Sequence, residues 1–246
     1  LKDVTATVNS VELVNHNVYE VTLQIEEMTF IAGQYLMIAL PSGEKVPYSI
    51  GSAPHELPKL SLFILVSEHN SLAQKVIEHI KSQETIQLKI AGGDCHIGCD
   101  VFQQHAQQAN PVLLIAGGTG FAQMKSIYES LLAQNYQGKI AFYWGVRTPE
   151  DAFMAEWIKQ AQSQHPTVSC DVVVNEANID WQGRTGWLYE AILKDHPDLS
   201  DSLAIISGSV NMVYGTLDQL ESHHLKTENC LSDVFAFAPH PSKPAR

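Results

Sequence analysis

Gly117, Gly118, Thr119 and Gly120 stand between an apolar run, 112–116, and a segment carrying Met124, Ile127, Tyr128, Leu131 and Leu132 at helical spacing. Strand, glycine turn and helix start, in that order, make an anion site. The glycines let backbone come close to a ligand, and the helix N-terminus offers free N–H groups and the positive end of its dipole. The chemistry to expect is capture of a phosphate-bearing cofactor, with Gly117, Gly118, Thr119 and Gly120 as its cradle. The pattern departs from G-x-G-x-x-G: Gly118 and Gly120 fill the first two positions, but Gln123 holds the third. Gly208 and Ser209 follow another apolar run, 203–207, and allow a second close backbone approach.

Two arginines also fall where a cofactor is read. Arg147 ends the run Tyr143-Trp144-Gly145-Val146, and loops at strand C-termini carry function in α/β sheets. It reads as a phosphate or ribose ligand, with a surface cation as the plain alternative. Arg184, in Trp181-Gln182-Gly183-Arg184-Thr185-Gly186, fits a polar turn as well as a site. Cys95-His96-Ile97-Gly98-Cys99 brings two thiols and an imidazole together, but structural zinc needs a fourth ligand at matching spacing. No metal site is expected. The four cysteines, with Cys170 and Cys230 apart, do not cluster for an iron–sulfur centre. His223 and His224 read as a solvated pair. Neither G-x-S-x-G nor H-E-x-x-H occurs, so hydrolase chemistry has no support.

The bulk composition narrows the partners. With 15 basic and 27 acidic residues the formal charge is −12, which excludes a broad nucleic-acid surface. A phosphate ligand must therefore be held by local N–H groups and single cations. Reduced thiols in a cytoplasmic protein are the simplest reading of the cysteines. No apolar run approaches a membrane span, and the alternating N-terminus predicts no signal peptide.

The elements that must position these groups fall into two halves. Residues 1–102 predict an antiparallel β-barrel, with strands over 4–13, 18–25, 35–40, 60–66 and 86–90. Turns at Ala32-Gly33, Pro41-Ser42-Gly43 and Ala53-Pro54 separate them. One helix interrupts, with Ser71 as its N-cap and Leu72, Val76, Ile77 and Ile80 on one face. Residues 103–110 are polar, lack a core-helix period and read as a junction. Residues 111–237 alternate strands (112–116, 140–144, 170–174, 203–207) with helices (121–134, 150–163, 187–195, 210–222), which predicts a parallel-sheet nucleotide-binding domain. The Pro-rich stretch 238–246 predicts a disordered tail.

A barrel ahead of a nucleotide domain draws attention to Val46-Pro47-Tyr48-Ser49, which resembles the flavin-binding R-P-F-S element of the ferredoxin–NADP reductase superfamily. Ala32-Gly33-Gln34-Tyr35, Gly117-Gly118-Thr119-Gly120, Tyr143-Trp144-Gly145-Val146-Arg147 and Ser207-Gly208-Ser209-Val210-Asn211-Met212 resemble further elements of that family in the same order. Asp233-Val234-Phe235-Ala236-Phe237 resembles the aromatic C-terminus of its NAD(P)H-flavin reductases. The resemblance covers nearly the whole chain.

It implies hydride transfer from NADH or NADPH to flavin N5, with the two rings stacked where the domains meet. Ser49 is implied as the catalytic hydroxyl at N5. Pro47, Tyr48, Ser49 and Ile50 would hold the flavin, with Ile64, Leu65 and Val66 lining the same pocket. Phe235 or Phe237 would cover its other face, unless both simply pack on the core in the strand-like alternation they show. Gly117, Gly118, Thr119, Gly120, Arg147, Gly208 and Ser209 would hold the nicotinamide nucleotide. One departure matters: Val46 replaces the arginine that pairs with the flavin phosphate, and a valine makes no ion pair. FMN or riboflavin as a dissociable substrate is therefore expected, rather than bound FAD, with a luciferase or monooxygenase consuming the reduced flavin. The alternative is an FAD-containing electron-transfer reductase with a protein redox partner.

Overall fold

The computed structural model describes residues 1–243. Its first half is one antiparallel sheet of β1 (Lys2–Leu13), β2 (Val18–Gln24), β3 (Tyr35–Ala39), β4 (Lys45–Ser49), β5 (Lys59–Leu65) and β6 (Thr85–Gly92). The spatial order is β4-β3-β6-β1-β2-β5. The edge strands β4 and β5 are drawn together by hydrogen bonds from Gly51 N to the Ser61 carbonyl (2.8 Å) and from Ser61 N to Ser52 Oγ (3.0 Å). The sheet thus curls into a barrel around Val21, Leu23, Leu36, Ile38, Leu60, Leu62, Ile86 and Leu88. Alternation along each strand sends these side chains inward.

Helix α1 (Ser71–Lys81) packs against the barrel core. Its Ala73, Val76, Ile77 and Ile80 recur at i, i+3, i+4 and i+7 and are buried. The N-cap is Asn70, whose side chain accepts from Ala73 N at 3.0 Å, so the expected cap at Ser71 shifts by one residue.

Residues 103–110 depart from the reading as an irregular junction. Helix α2 (Asp100–Gln107) occupies most of them. Phe102 is 2% exposed, and His105 is held by Asn229 (3.0 Å) and Asn110 (2.9 Å). A single aromatic anchor and a buried imidazole replace the apolar stripe that periodicity looks for.

The second half is an all-parallel sheet of order β10-β9-β8-β7-β11-β12. Its strands are β7 (Val112–Gly117), β8 (Ile140–Val146), β9 (Ser169–Val174), β10 (Arg184–Thr185), β11 (Leu203–Ser207) and β12 (Cys230–Leu231). Helices α3 (Phe121–Ala133) and α4 (Ala155–Gln164) cover one face; α5 (Leu188–Asp195) and α6 (Val210–Glu221) cover the other. Strand alternation divides the residues between them: Leu114, Phe142 and Trp144 face α3, whereas Leu113, Tyr143 and Ile206 face α6. The expected helix 150–163 begins later, because Pro149–Asp151 forms a separate tight turn.

Phe235 and Phe237 do not sit in a strand. They lie in the short helix α7 (Val234–Phe237), with Phe235 against Tyr214 at 5.4 Å between ring centroids. The expected disordered tail is tied down through residue 243. Tyr214 donates to the Ala238 carbonyl (2.6 Å), and Asp218 pairs with His240 (2.8 Å) and Lys243 (2.7 Å). Residues 244–246 of that tail lie outside the described residues.

Candidate active site

The glycine turn closes β7 and feeds α3. Gly118 adopts φ +55, and a Cβ there would meet nothing within 4 Å, so its backbone faces open space. Trp144, fully buried beneath, donates Nε1–H to the Gly118 carbonyl at 2.9 Å and fixes the turn from below. The N-terminus of α3 has no side-chain cap and no acidic residue in its first turn. Its first residue, Phe121, bonds its N–H back to the Gly118 carbonyl through the tight turn Gly118–Gly120, so the N–H groups placed to meet an anion are those of the glycine turn itself. Gly120 does other work. A Cβ there would collide with the Ser207 carbonyl, so this glycine lets α3 approach β11. Gly208 is likewise close-packed, its missing Cβ lying 2.6 Å from Met212 Sδ.

Beside the turn opens a cavity of about 640 Å³. Gly117, Gly118, Thr119, Arg147 and Ser209 line it, together with Asn175 and Trp187. The barrel contributes Val18 and Leu65. The cavity is therefore walled by both halves of the chain, and its size suits a small-molecule ligand. Open backbone at a positive φ, a tight glycine turn leading into a helix and one cation fit the diphosphate of a dinucleotide. Gly120 and Gly208, expected to touch the cofactor, do not line the cavity and serve the packing of the helices that form it.

On the barrel side, β4 presents Pro47 outward and leaves Tyr48 and Ser49 partly exposed. Burial pushes the Tyr48 phenol up to about 12, so it stays protonated at neutral pH and can donate a hydrogen bond. Ser49 pairs in register with Tyr35 of β3. Two expected flavin contacts are corrected in their side chains. Ile50 and Ile64 are 0% exposed with their side chains in the barrel core, which leaves only their backbone to meet a ligand. Their neighbour Leu65 reaches the cavity, and Val66 packs at the rim of the core. Phe235 lines a second cavity, of about 460 Å³, with Tyr214 and His240. Arg184 is committed elsewhere, to Asp195 (2.5 and 3.1 Å) and to the Ala191 carbonyl (3.0 Å), so it is a structural cation. Among the described residues no group of three or more His, Cys, Asp or Glu is placed to hold a metal ion.

The two halves are joined by polar side chains of α3 that look solvent-facing in sequence. Lys125 Nζ donates to the Gly51 carbonyl at 2.9 Å and pairs with Glu129 at 2.9 Å. Ser126 Oγ donates to the Ser52 carbonyl at 2.8 Å. Gln123 donates to the Gly33 carbonyl at 2.7 Å and to Asp233 at 3.0 Å. Burial pushes the Asp233 carboxyl up to about 6, and the Gln123 amide only partly offsets it. Phe63 of β5 completes the joint, packing on Phe121 (5.8 Å) and Phe153 (5.4 Å).

With this geometry in view, likeness to known proteins becomes informative. The chain matches the family described as oxidoreductase NAD-binding domain over residues 114–218. An NAD(P)H-flavin reductase of Vibrio harveyi is 33% identical over 238 residues, spanning 94% of this chain and 97% of the relative. The chain belongs to the NAD(P)H-flavin reductase family. A second member, from Aliivibrio fischeri, is 32% identical over 95% of this chain and 99% of its own length. Among solved structures, a cytochrome P450 reductase of Amycolatopsis superposes with a TM-score of 0.85 at 22% identity, covering 94% of this chain and 69% of that one. A ferredoxin NADP+ reductase of Neisseria gonorrhoeae with bound FAD and NADP gives 0.75 at 17% identity, over 94% and 98%. Both show the shared fold of barrel and nucleotide domain. This flavin reductase is thus an NAD(P)H-dependent enzyme. No helix among its described residues is long and apolar enough to cross a membrane.

Proposed function

We propose that this reductase passes a hydride from NADH or NADPH to a flavin that enters and leaves as a substrate. FMN and riboflavin are the acceptors; FAD is the poorer one. The observation that carries this is Val46. It is 8% exposed, with its side chain in the barrel core, where the family's flavin element begins with a phosphate-binding arginine. Lys45 is exposed but sits on the opposite face of β4. A flavin would be gripped through its ring rather than its phosphate.

The nicotinamide supplies the hydride and the flavin ring accepts it, and the protein contributes position and hydrogen bonds. The Ser49 hydroxyl and the backbone of Pro47 and Ile50 hold the flavin edge, with the Tyr48 ring beside it. Thr119, Ser209 and the N–H groups of the glycine turn hold the dinucleotide. Leu65 and Val18 keep the meeting point apolar and shut water out. Reduced flavin that leaves must be consumed elsewhere, by a luciferase or a two-component monooxygenase in the same cytoplasm. The buried thiols of Cys95 and Cys170 suit a reducing compartment.

The test is initial rate with FMN, FAD and riboflavin, each with NADH and with NADPH, and gel filtration monitored at the flavin band. Rates with riboflavin close to those with FMN, and loss of flavin on the column, support the reading. Stoichiometric FAD that co-elutes with the protein contradicts it.

A further inference from the structure

The cavity has two ends, and the outer one carries a charge arrangement that the reduction itself does not need. Its inner end is the glycine turn with Leu65 and Val18. It then crosses the C-terminal ends of β8 and β9 to Asn175, Gly186 and Trp187. A dinucleotide whose nicotinamide points to the barrel lays its adenosine half over this outer end. Trp187, 58% exposed, offers an aromatic face there.

Arg147 is the one cation among the described residues lining the cavity. Taken alone, an arginine at a strand end beside the ribose would favour a 2′-phosphate. Arg147 is not alone. Its Nη1 lies 3.0 Å from Glu176 Oε2, and the Glu176 N–H donates to the Arg147 carbonyl at 2.6 Å, which fixes the two residues side by side. Asp151 also lines the cavity, on the barrel side, held by the N–H (3.0 Å) and hydroxyl (2.8 Å) of Thr148, with His16 at 3.4 Å. The nearby Arg184 is occupied by Asp195 and Asp171.

We propose that this outer end selects NADH over NADPH, and that Glu176 sets the choice by occupying Arg147 and by repelling a 2′-phosphate. The proposal deepens the reading above, since it rests on the dinucleotide lying in this cavity. A 2′-phosphate brings a nearly dianionic group. It would have to displace Glu176 from Arg147 and then remain beside that carboxylate. A ribose 2′-hydroxyl meets no such conflict. Because Arg147 and Glu176 are 68% and 60% exposed, solvent screens the effect and keeps it moderate.

The experiment uses the full chain without flavin: calorimetric titration with ADP-ribose and with 2′-phospho-ADP-ribose. The native protein should bind ADP-ribose about five-fold tighter or more. Glu176→Gln should bring the two affinities within about two-fold by improving the phosphorylated ligand, while Arg147→Gln should weaken that ligand further. Thermal melts confirm that these surface variants stay folded. Equal affinities in the native protein, an unchanged ratio in Glu176→Gln, or no binding of either ligand would overturn the proposal. A chain that separates the two ADP-riboses yet reduces no flavin overturns the functional reading alone. One that reduces flavin equally well with both dinucleotides overturns the selectivity alone.

Discussion

The ammonium of Lys125 donates to the carbonyl of Gly51, two residues beyond Ser49, at 2.9 Å. Lys125 lies one turn into the helix that starts at the glycine turn. The segment that carries Ser49 and the helix that follows the glycine turn are therefore fastened to each other directly. Ser126 repeats the fastening at Ser52. In hydride transfer, where reacting atoms must meet within a few tenths of an ångström, such a yoke sets how well two bound rings align.

Ser126→Ala tests the yoke. It leaves the buried Ser52 carbonyl without its donor, which costs about 1–3 kcal/mol. Urea unfolding should show that loss. If α3 positions the rings, kcat should fall more than KM for NADH rises, because misalignment acts after binding. A variant that loses stability but keeps its kcat would show the bond to be structural only.

The two inner glycines should fail differently. Gly118→Ala forces a side chain into the left-handed region, at about 1–2 kcal/mol, and into the open cradle. Its fold should survive while KM for NADH rises about ten-fold, the equivalent of one lost charge-assisted contact. Gly120→Ala drives a methyl into the Ser207 carbonyl and should lower thermal stability as well, since α3 can no longer seat on β11. Paired melts and NADH titrations separate the two. Identical behaviour would contradict the division of labour.

The barrel strand predicts flavin selectivity. With Val46 buried and no cation in its place, riboflavin should match FMN in kcat/KM within about three-fold, less than a single charge-assisted hydrogen bond would contribute. Competition assays with the two flavins read this directly. A preference for FMN of a hundred-fold would require a phosphate anchor that β4 does not present.

Asp233 predicts a pH dependence of stability. Its carboxyl titrates at about 6 in the fold against 3.8 ordinarily, because burial disfavours the charge. A group raised in this way contributes its stabilisation fully below pH 4 and loses it as pH rises through 6. The loss is on the order of 3 kcal/mol. In Asp233→Asn, whose amide oxygen can still accept from Gln123, this fall between pH 4 and 7 should disappear. Urea midpoints at the two pH values check it, and equal slopes in both proteins would rule Asp233 out as the cause.

Much of this architecture was legible in the chain. The apolar runs of β7, β8 and β11, the glycine turn and the alternation of the barrel strands are local patterns, and local patterns report local structure. What escaped reading depends on contacts across the two halves. Gln123, Lys125 and Ser126 look like a polar helix face, yet the barrel buries them. The clue was that α3 carries apolar residues on its other sides too, leaving no obvious face for solvent. Trp144 reads as a core aromatic, and nothing nearby in sequence tells that its N–H holds Gly118. Ile64 stands beside Leu65 in sequence, but a pleated strand sends the two side chains to opposite faces. Helix α2 hides because Phe102 alone carries most of its burial, and α7 because four residues are too few to show a period.

The most direct measurement is a crystal structure of the enzyme soaked with riboflavin and NAD+ together. The account predicts both rings stacked in one crevice between Ser49 and Thr119, with flavin N5 and nicotinamide C4 about 3–3.5 Å apart. Rings found in separate pockets, with Leu65 and the glycine turn facing neither junction, would contradict it.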